Sequence, residues 1–343
     1  MAKVLIIGDN HNGANGNNQR LLRQNVELYN NFLKPLIQFH HVDFCIDLGD
    51  FFDDREKIDI RVLKTVREEM LNALPVPWYF IVGNHNLYYK NENRVNNLRE
   101  TIGDLPNVHI VDKFKEVEGI DLIPWITSSN AEYISELVRT STNKWCCGHF
   151  EFSGFQFDKS RVADVKEKIT ANTFHHYQKV FSGHYHIASE KGNIMYVGTP
   201  VQLTWIDVDV EKQVILLDTE TGEITPFVNP NNLYAQFRLP DDGDLTGFNE
   251  EEIKEKRVKV IYNINIDKDV LNKVQAILKS YLPEQLTFVP NGIKKKEEEK
   301  IVNITNGLDS AFKEYISLLP IESEKTKEVI EKLVLNYYNK TQQ

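Results

Sequence analysis

Up to about residue 199, short apolar runs alternate with longer stretches whose apolar positions recur at helical spacing. Runs at 3–7, 44–48 and 78–82 have the length of strands. Between the first two, Leu21, Leu22, Val26, Tyr29, Phe32, Leu33 and Leu36 share one face of a helix over about 20–39. Between the second and third, Ile60, Leu63, Val66, Met70 and Leu74 do the same over about 59–74. Pro75 and Pro77 then end that helix. The alternation predicts a layered α/β domain. Further strand-like runs at 122–126, 144–147, 179–182 and 194–197 either extend the first sheet or build a second one packed on it.

The texture changes near Val201. Runs at 213–218 and 224–227 flank Thr219-Glu220-Thr221-Gly222-Glu223, the signature of a hairpin with a turn glycine. Val258, Val260, Tyr262 and Ile264 alternate in a predicted strand, and 267–281 reads as a helix. Residues 205–290 therefore read as a smaller α+β domain. A charge run at 294–300 marks a solvated linker, bounded as 291–302. The remainder, 303–343, carries two helical patterns around Pro320. One holds Leu308, Phe312, Tyr315, Ile316 and Leu319. The other holds Val329, Ile330, Leu333, Val334, Tyr337 and Tyr338. A helix pair of about 40 residues rarely folds alone. It has to dock, on this chain or on a partner.

Composition adds limits. The chain has 343 residues, enough for two or three domains, and a formal net charge of −10. That balance argues against a stand-alone basic nucleic-acid binder but leaves DNA open as a substrate, since metals and local basic residues can neutralise phosphate. The three cysteines, Cys45, Cys146 and Cys147, all lie in apolar runs and read as reduced core thiols. No apolar stretch is long enough to span a bilayer, and a cytoplasmic location is expected.

The candidate chemistry sits directly after the apolar runs. The clusters are Gly8-Asp9-Asn10-His11, Gly49-Asp50-Phe51-Phe52-Asp53, Gly83-Asn84-His85, Gly148-His149 and Gly183-His184-Tyr185-His186. Ligands of open α/β sheets bind at the carboxyl ends of strands. Seven donors there, Asp9, His11, Asp50, Asn84, His149, His184 and His186, would make a site for two divalent metal ions. Asp50 is the chosen bridge, because an anion between two cations reduces their repulsion. The spacing of Asp9 with His11, and of His184 with His186, lets each pair point one way in an extended segment. Oxygen and nitrogen donors without sulfur suit manganese, iron or zinc, with magnesium possible. Two such ions generate a nucleophile from water near neutral pH. His85, beside a ligand, is the candidate to assist the leaving oxygen. The other histidines, His40, His41, His109, His175 and His176, read as surface or structural.

The ordered motifs Asp-x-His, Gly-Asp-x-x-Asp, Gly-Asn-His, Gly-His and Gly-His-x-His resemble the calcineurin-like metallophosphoesterase superfamily. The resemblance implies a two-layered β-sandwich flanked by helices. It implies Asp9, His11, Asp50 and His186 on one metal, and Asp50, Asn84, His149 and His184 on the other. Leu122-Ile123-Pro124-Trp125, Gly198-Thr199-Pro200 and the C-terminal extension narrow it further. The whole chain is similar to the SbcD, or meiotic-recombination-eleven, family of nuclease subunits, and in its compact length to those of large tailed phages. That implies a manganese-dependent DNA nuclease, a double-strand exonuclease and single-strand endonuclease in recombination and repair. It implies a homodimer and an SbcC-type coiled-coil ATPase partner, and the helices after the second and third motifs are the candidate dimer surfaces. In this reading 1–204 is the nuclease domain, 205–290 a capping domain and 303–343 the ATPase dock, through Leu308, Phe312, Tyr315, Ile316, Leu333 and Tyr337.

One position departs from the family. The third motif normally continues Gly-Asn-His-Asp, and here Asn86 stands in place of the acid. A carboxylate beside His85 would orient it and stabilise its protonated form, so either the chain tolerates an amide here or it is a catalytically weakened version, and Asn86→Asp is expected to raise turnover without much changing metal content. Arg55, Lys57, Arg61, Lys64, Lys90 and Arg94 follow the second and third motifs and are candidate DNA contacts or an ordinary solvated face. Two competing readings use the same platform: a phosphomonoesterase or cyclic-nucleotide phosphodiesterase, and a catalytically weakened DNA-end-binding scaffold.

Overall fold

Two six-stranded mixed sheets meet face to face in a computed structural model that describes residues 2–156, 161–165 and 168–291, with positions 326, 329, 330 and 332. In the first sheet β1 (Lys3–Ile7), β2 (Phe44–Asp47), β3 (Trp78–Ile81) and β4 (Val108–Val111) run parallel. The second orders β5 (Lys115–Val117), β6 (Ile120–Ile123), β7 (Trp145–His149), β8 (Lys179–Gly183), β10 (Ile194–Tyr196) and β9 (Ser189–Lys191). Its inner strands β6, β7, β8 and β10 are parallel, and its edges are antiparallel. The later apolar runs thus build a second sheet rather than extend the first.

Alternation along each strand sorts the side chains into layers. Val4, Ile6, Phe44, Ile46 and Ile81 face Ile120, Leu122, Trp145, Cys147 and Phe181 in the core between the sheets. Leu5, Ile7, Cys45, Trp78 and Phe80 point the other way. They pack on Leu22, Val26, Tyr29 and Leu33 of the first helical segment and on Val66 and Met70 of the next. Those segments are Gln19–Leu28, continued through a π turn at Tyr29–Leu33 into Lys34–His40, and Ile60–Thr65, continued through a π turn at Val66–Met70. On the outer side of the second sheet, Ile123, Cys146 and Val180 pack on Ile134 and Val138 of helix Ala131–Thr140. All three cysteines are buried and unpaired.

One boundary is corrected. The hairpin β11 (Gln213–Asp218) and β12 (Ile224–Val228) is expected in the smaller domain. It belongs instead to the first sheet, where β11 pairs antiparallel with β1 from Lys3↔Asp218 to Ile6↔Ile215. Val214, Ile215 and Leu217 are buried there, which gives the hairpin its reason to return. The smaller sheet that follows is β13 (Tyr234–Leu239), β14 (Arg257–Asn263) and β15 (Gln285–Asn291). Helix Lys268–Ser280 covers it, through a separate core of Leu239, Ile253, Val258, Val260, Val274 and Leu278. The linker and the proposed docking residues Leu308, Phe312, Tyr315, Ile316, Leu333 and Tyr337 lie outside the described residues.

Candidate metal centre

Each candidate donor leaves the carboxyl end of a parallel strand. Asp9 and His11 follow β1, Asp50 follows β2, Asn84 follows β3, His149 ends β7, and His184 and His186 follow β8. The chain turns sharply to present them. His11, Asp50 and His184 hold positive φ values of 48°, 49° and 92°. Such angles are uncommon outside glycine and concentrate at functional sites. The preceding glycines have a packing reason. A Cβ on Gly83 would overlap the Asp50 carboxylate, and one on Gly183 would overlap Asp9 Oδ1.

Two clusters result. Asp9, His11 and His186 form one, with His11 Nε2 and His186 Nε2 facing each other at 3.0 Å. Asp50, His149 and His184 form the other. Asn84 Oδ1 joins it, 3.0 Å from both His149 Nε2 and His184 Nδ1. His149 Nε2 is also 3.3 Å from Asp50 Oδ2. The structure therefore brings all seven predicted donors together in two adjoining groups.

The far side of each imidazole sets which nitrogen is left for a ligand. His149 Nδ1 donates to the Leu48 carbonyl at 2.8 Å, which leaves the Nε2 lone pair facing the cluster. His11 Nδ1 donates to Asp53 Oδ1 at 3.0 Å, with the same consequence for its Nε2. His184 Nε2 lies 3.6 Å from Glu151 Oε1, and its Nδ1 faces Asn84.

Burial and mutual charge shape the titration. Burial pushes the Asp9 carboxyl up, against the pull of His149. Burial opposes ionisation of Asp50 too, yet His149 overrides it and holds Asp50 well below the usual carboxylate range. Burial alone would depress His149, but Asp50 and Asp9 raise it to about 9. Burial and the neighbouring His11 push His186 down to about 3.

His85 sits at the rim, half-buried, its ring 5.1 Å from that of His11. Its Nδ1 hydrogen-bonds to the Asp53 carbonyl at 2.5 Å, and its backbone N–H donates to Asp50 Oδ1 at 2.8 Å. Asn86 finds its hydrogen-bond partners elsewhere than on the His85 ring, and its effect on turnover stays an expectation. Its side chain is fully buried, and Oδ1 accepts from the backbone N–H groups of Asp50 and Gly83, both at 3.0 Å. Its Nδ2 donates to Asn97 Oδ1 at 3.1 Å. Asn86 thus braces the Asp50 turn, and the Asp53 carbonyl holds the His85 ring.

Asp53 is the residue to which sequence reasoning assigned no role. It ends the Gly-Asp-x-x-Asp motif, serves His11 through its carboxylate and His85 through its carbonyl, and forms a further cluster with both. Trp125 also gains a place. Its ring lies 5.1 Å from that of His184 and 5.7 Å from that of His149.

Among the DNA-contact candidates, Arg61 pairs with Asp59 and Lys64 with Glu68. Arg94 pairs with Glu92 at 2.8 Å. Arg55, Lys57 and Lys90 make no ion pair among the described residues. His109 stacks on Tyr79, and His40 packs on Phe227, in keeping with structural roles.

The donor set fits divalent cations. Asp9 Oδ1 is buried with no hydrogen-bond partner. His11 Nε2 and His186 Nε2 face each other beside that orphaned oxygen, so two nitrogens and a carboxylate oxygen converge on one point. A cation there satisfies both imidazole lone pairs.

Comparison with known proteins agrees with this geometry. Residues 2–188 match the calcineurin-like phosphoesterase family. The chain is 29% identical over 341 residues to exonuclease subunit 1 of Enterobacteria phage T4, covering 96% of each chain. A solved structure of an archaeal phosphodiesterase covers 66% of this chain and 99% of its own, at 16% identity and a TM-score of 0.33, and carries no weight for the fold. With the family match spanning more than half its length and the ligand clusters assembled at the strand ends, the chain belongs to the calcineurin-like phosphoesterases.

Proposed function

We propose that the protein is the nuclease subunit of a recombination and repair complex, hydrolysing DNA phosphodiesters at the site formed by Asp9, His11, Asp50, Asn84, His149, His184 and His186. The observation that carries this reading is the convergence of those donors in a chain similar, end to end, to a phage exonuclease subunit. Two divalent ions, manganese first, would supply a nucleophile at neutral pH and screen charge developing on the phosphate. The chain's own residues do the rest. Asp50, a member of the second cluster that also acts electrostatically on Asp9 and His11 of the first, would be the shared carboxylate. Asn84 presents its amide oxygen to the second cluster. His85 donates Nδ1–H to the Asp53 carbonyl, so Nε2 is the nitrogen that serves a phosphate or leaving oxygen. In this reading the two sheets are the sandwich nuclease domain and the three-stranded sheet is the cap. Residues 303–343 dock an SbcC-type ATPase, and two copies form the working dimer.

The test is a manganese-dependent assay on linear duplex and single-stranded DNA, with and without the ATPase, beside phosphomonoester and cyclic-nucleotide substrates. Cleavage of DNA that is abolished by His85→Ala supports the reading. Hydrolysis of the small substrates alone, or DNA binding without cleavage, overturns it.

A further inference from the structure

Lys212 is an almost fully buried lysine outside the donor set, at the foot of β11. Its ammonium donates to Asp207 Oδ1 at 2.6 Å, to Thr199 Oγ1 at 2.8 Å and to the backbone carbonyl of His186 at 3.1 Å. Thr199 N–H donates to the same carbonyl at 3.2 Å. Asp207 is buried as well, and its Oδ2 accepts from the backbone N–H groups of Leu203 and Thr204. Its hydrogen bond toward the site goes from Lys212 to the main chain of one ligand, His186.

Burying an ion pair is costly, and apolar residues of similar volume commonly serve stability as well or better. What they cannot supply is a second, charged donor to the His186 carbonyl beside Thr199 N–H. His186 lies past the end of β8 at Gly183, so the strand ladder does not fix its backbone. We propose that Lys212, held by Asp207 and Thr199, is a positioning residue that fixes the main chain of His186 and so tunes the cluster of Asp9, His11 and His186. The same network runs into the smaller sheet. Gln202 donates to the Asp207 carbonyl at 3.2 Å and accepts from Tyr234 N–H, at the start of β13, at 2.8 Å.

The inference rests on the metal centre of the proposed function, and calorimetric titration with manganese separates the two. Wild-type protein should bind two ions. The double variant Lys212→Met with Asp207→Asn removes both buried charges together, so neither is left unpaired. It should keep one site at wild-type affinity and weaken the other about 10–100-fold, as loss of an outer partner typically does. Thr199→Val leaves the ion pair intact and should weaken the same site by a smaller factor, and it decides the matter where the double variant does not fold. Excess manganese should restore cleavage in both. Two sites of wild-type affinity in a folded variant overturn the inference and leave the proposed function standing. Wild-type protein that takes up no manganese overturns both. Two bound ions without DNA cleavage overturn only the proposed function, because the affinity loss in the variants still supports the role of Lys212.

Discussion

Asn86 Oδ1 lies 3.0 Å from the backbone nitrogen of Asp50. That bond stabilises a left-handed turn, φ 49°, at the carboxylate chosen to bridge two cations. Asn86→Ala should leave two buried N–H groups unsatisfied, those of Asp50 and Gly83, at a cost of about 2–6 kcal/mol. Thermal melting and manganese titration should both fall. Asn86→Asp keeps an acceptor for both groups and should retain most of the affinity. Equal losses in the two variants would reject a bracing role.

Asp53 should matter through His11. Asp53→Ala removes the acceptor that fixes Nδ1–H and turns Nε2 inward, while the Asp53 carbonyl that holds His85 remains. Manganese affinity should drop about 10–100-fold. Metal-free stability should change little, because the carboxylate is partly exposed. A variant with normal metal affinity and slow chemistry would place Asp53 in catalysis instead.

The metal-free site should be sensitive to pH. His149 is raised to about 9 in the folded protein, above the ordinary histidine value. Its contribution to metal-free stability is therefore full below about pH 6.5 and lost as pH rises toward 9. Manganese needs the neutral imidazole and must displace that proton, so affinity should rise about tenfold per pH unit in the same window. Calorimetry in buffers of different ionisation enthalpy reads the proton released. Affinity independent of pH between 7 and 9 would contradict the assignment.

Gly183→Ala should abolish metal uptake, because the added methyl meets Asp9 Oδ1. Gly192, which unlike Gly183 is at positive φ, has open space around its Cβ and should tolerate alanine with only its backbone cost, about 1 kcal/mol. Metal titration of the two variants makes the comparison. Full metal occupancy in Gly183→Ala would show that the close approach does not constrain the site.

Lys57 and Lys90 are exposed and make no ion pair among the described residues, whereas Arg61 is held by Asp59. If both lysines touch DNA phosphates, their joint removal should flatten the salt dependence of binding by about 1.8 in log–log slope. Arg61→Ala should leave it unchanged. An unaltered slope in the lysine variant would remove both from the DNA path.

The donor residues were legible along the chain because each motif is local. An apolar run makes a strand, glycine allows the turn, and an acid, amide or imidazole follows within a few residues. That chemistry needs no knowledge of the partner strands. Periodicity reports only which face of an element is apolar, so it could not say where the 213–228 hairpin would spend its apolar side. The pairing of β11 with β1 joins residues more than two hundred apart, and only the folded chain selects it. The same limit explains the remaining differences. Asn86 looked like a partner for its neighbour His85, but a buried amide bonds to whatever donors tertiary packing brings to it, here the turns at Gly83 and Asp50. Lys212 carried no motif at all. Its meaning comes from a carbonyl 26 positions earlier, which the return of β11 to the first sheet places within reach.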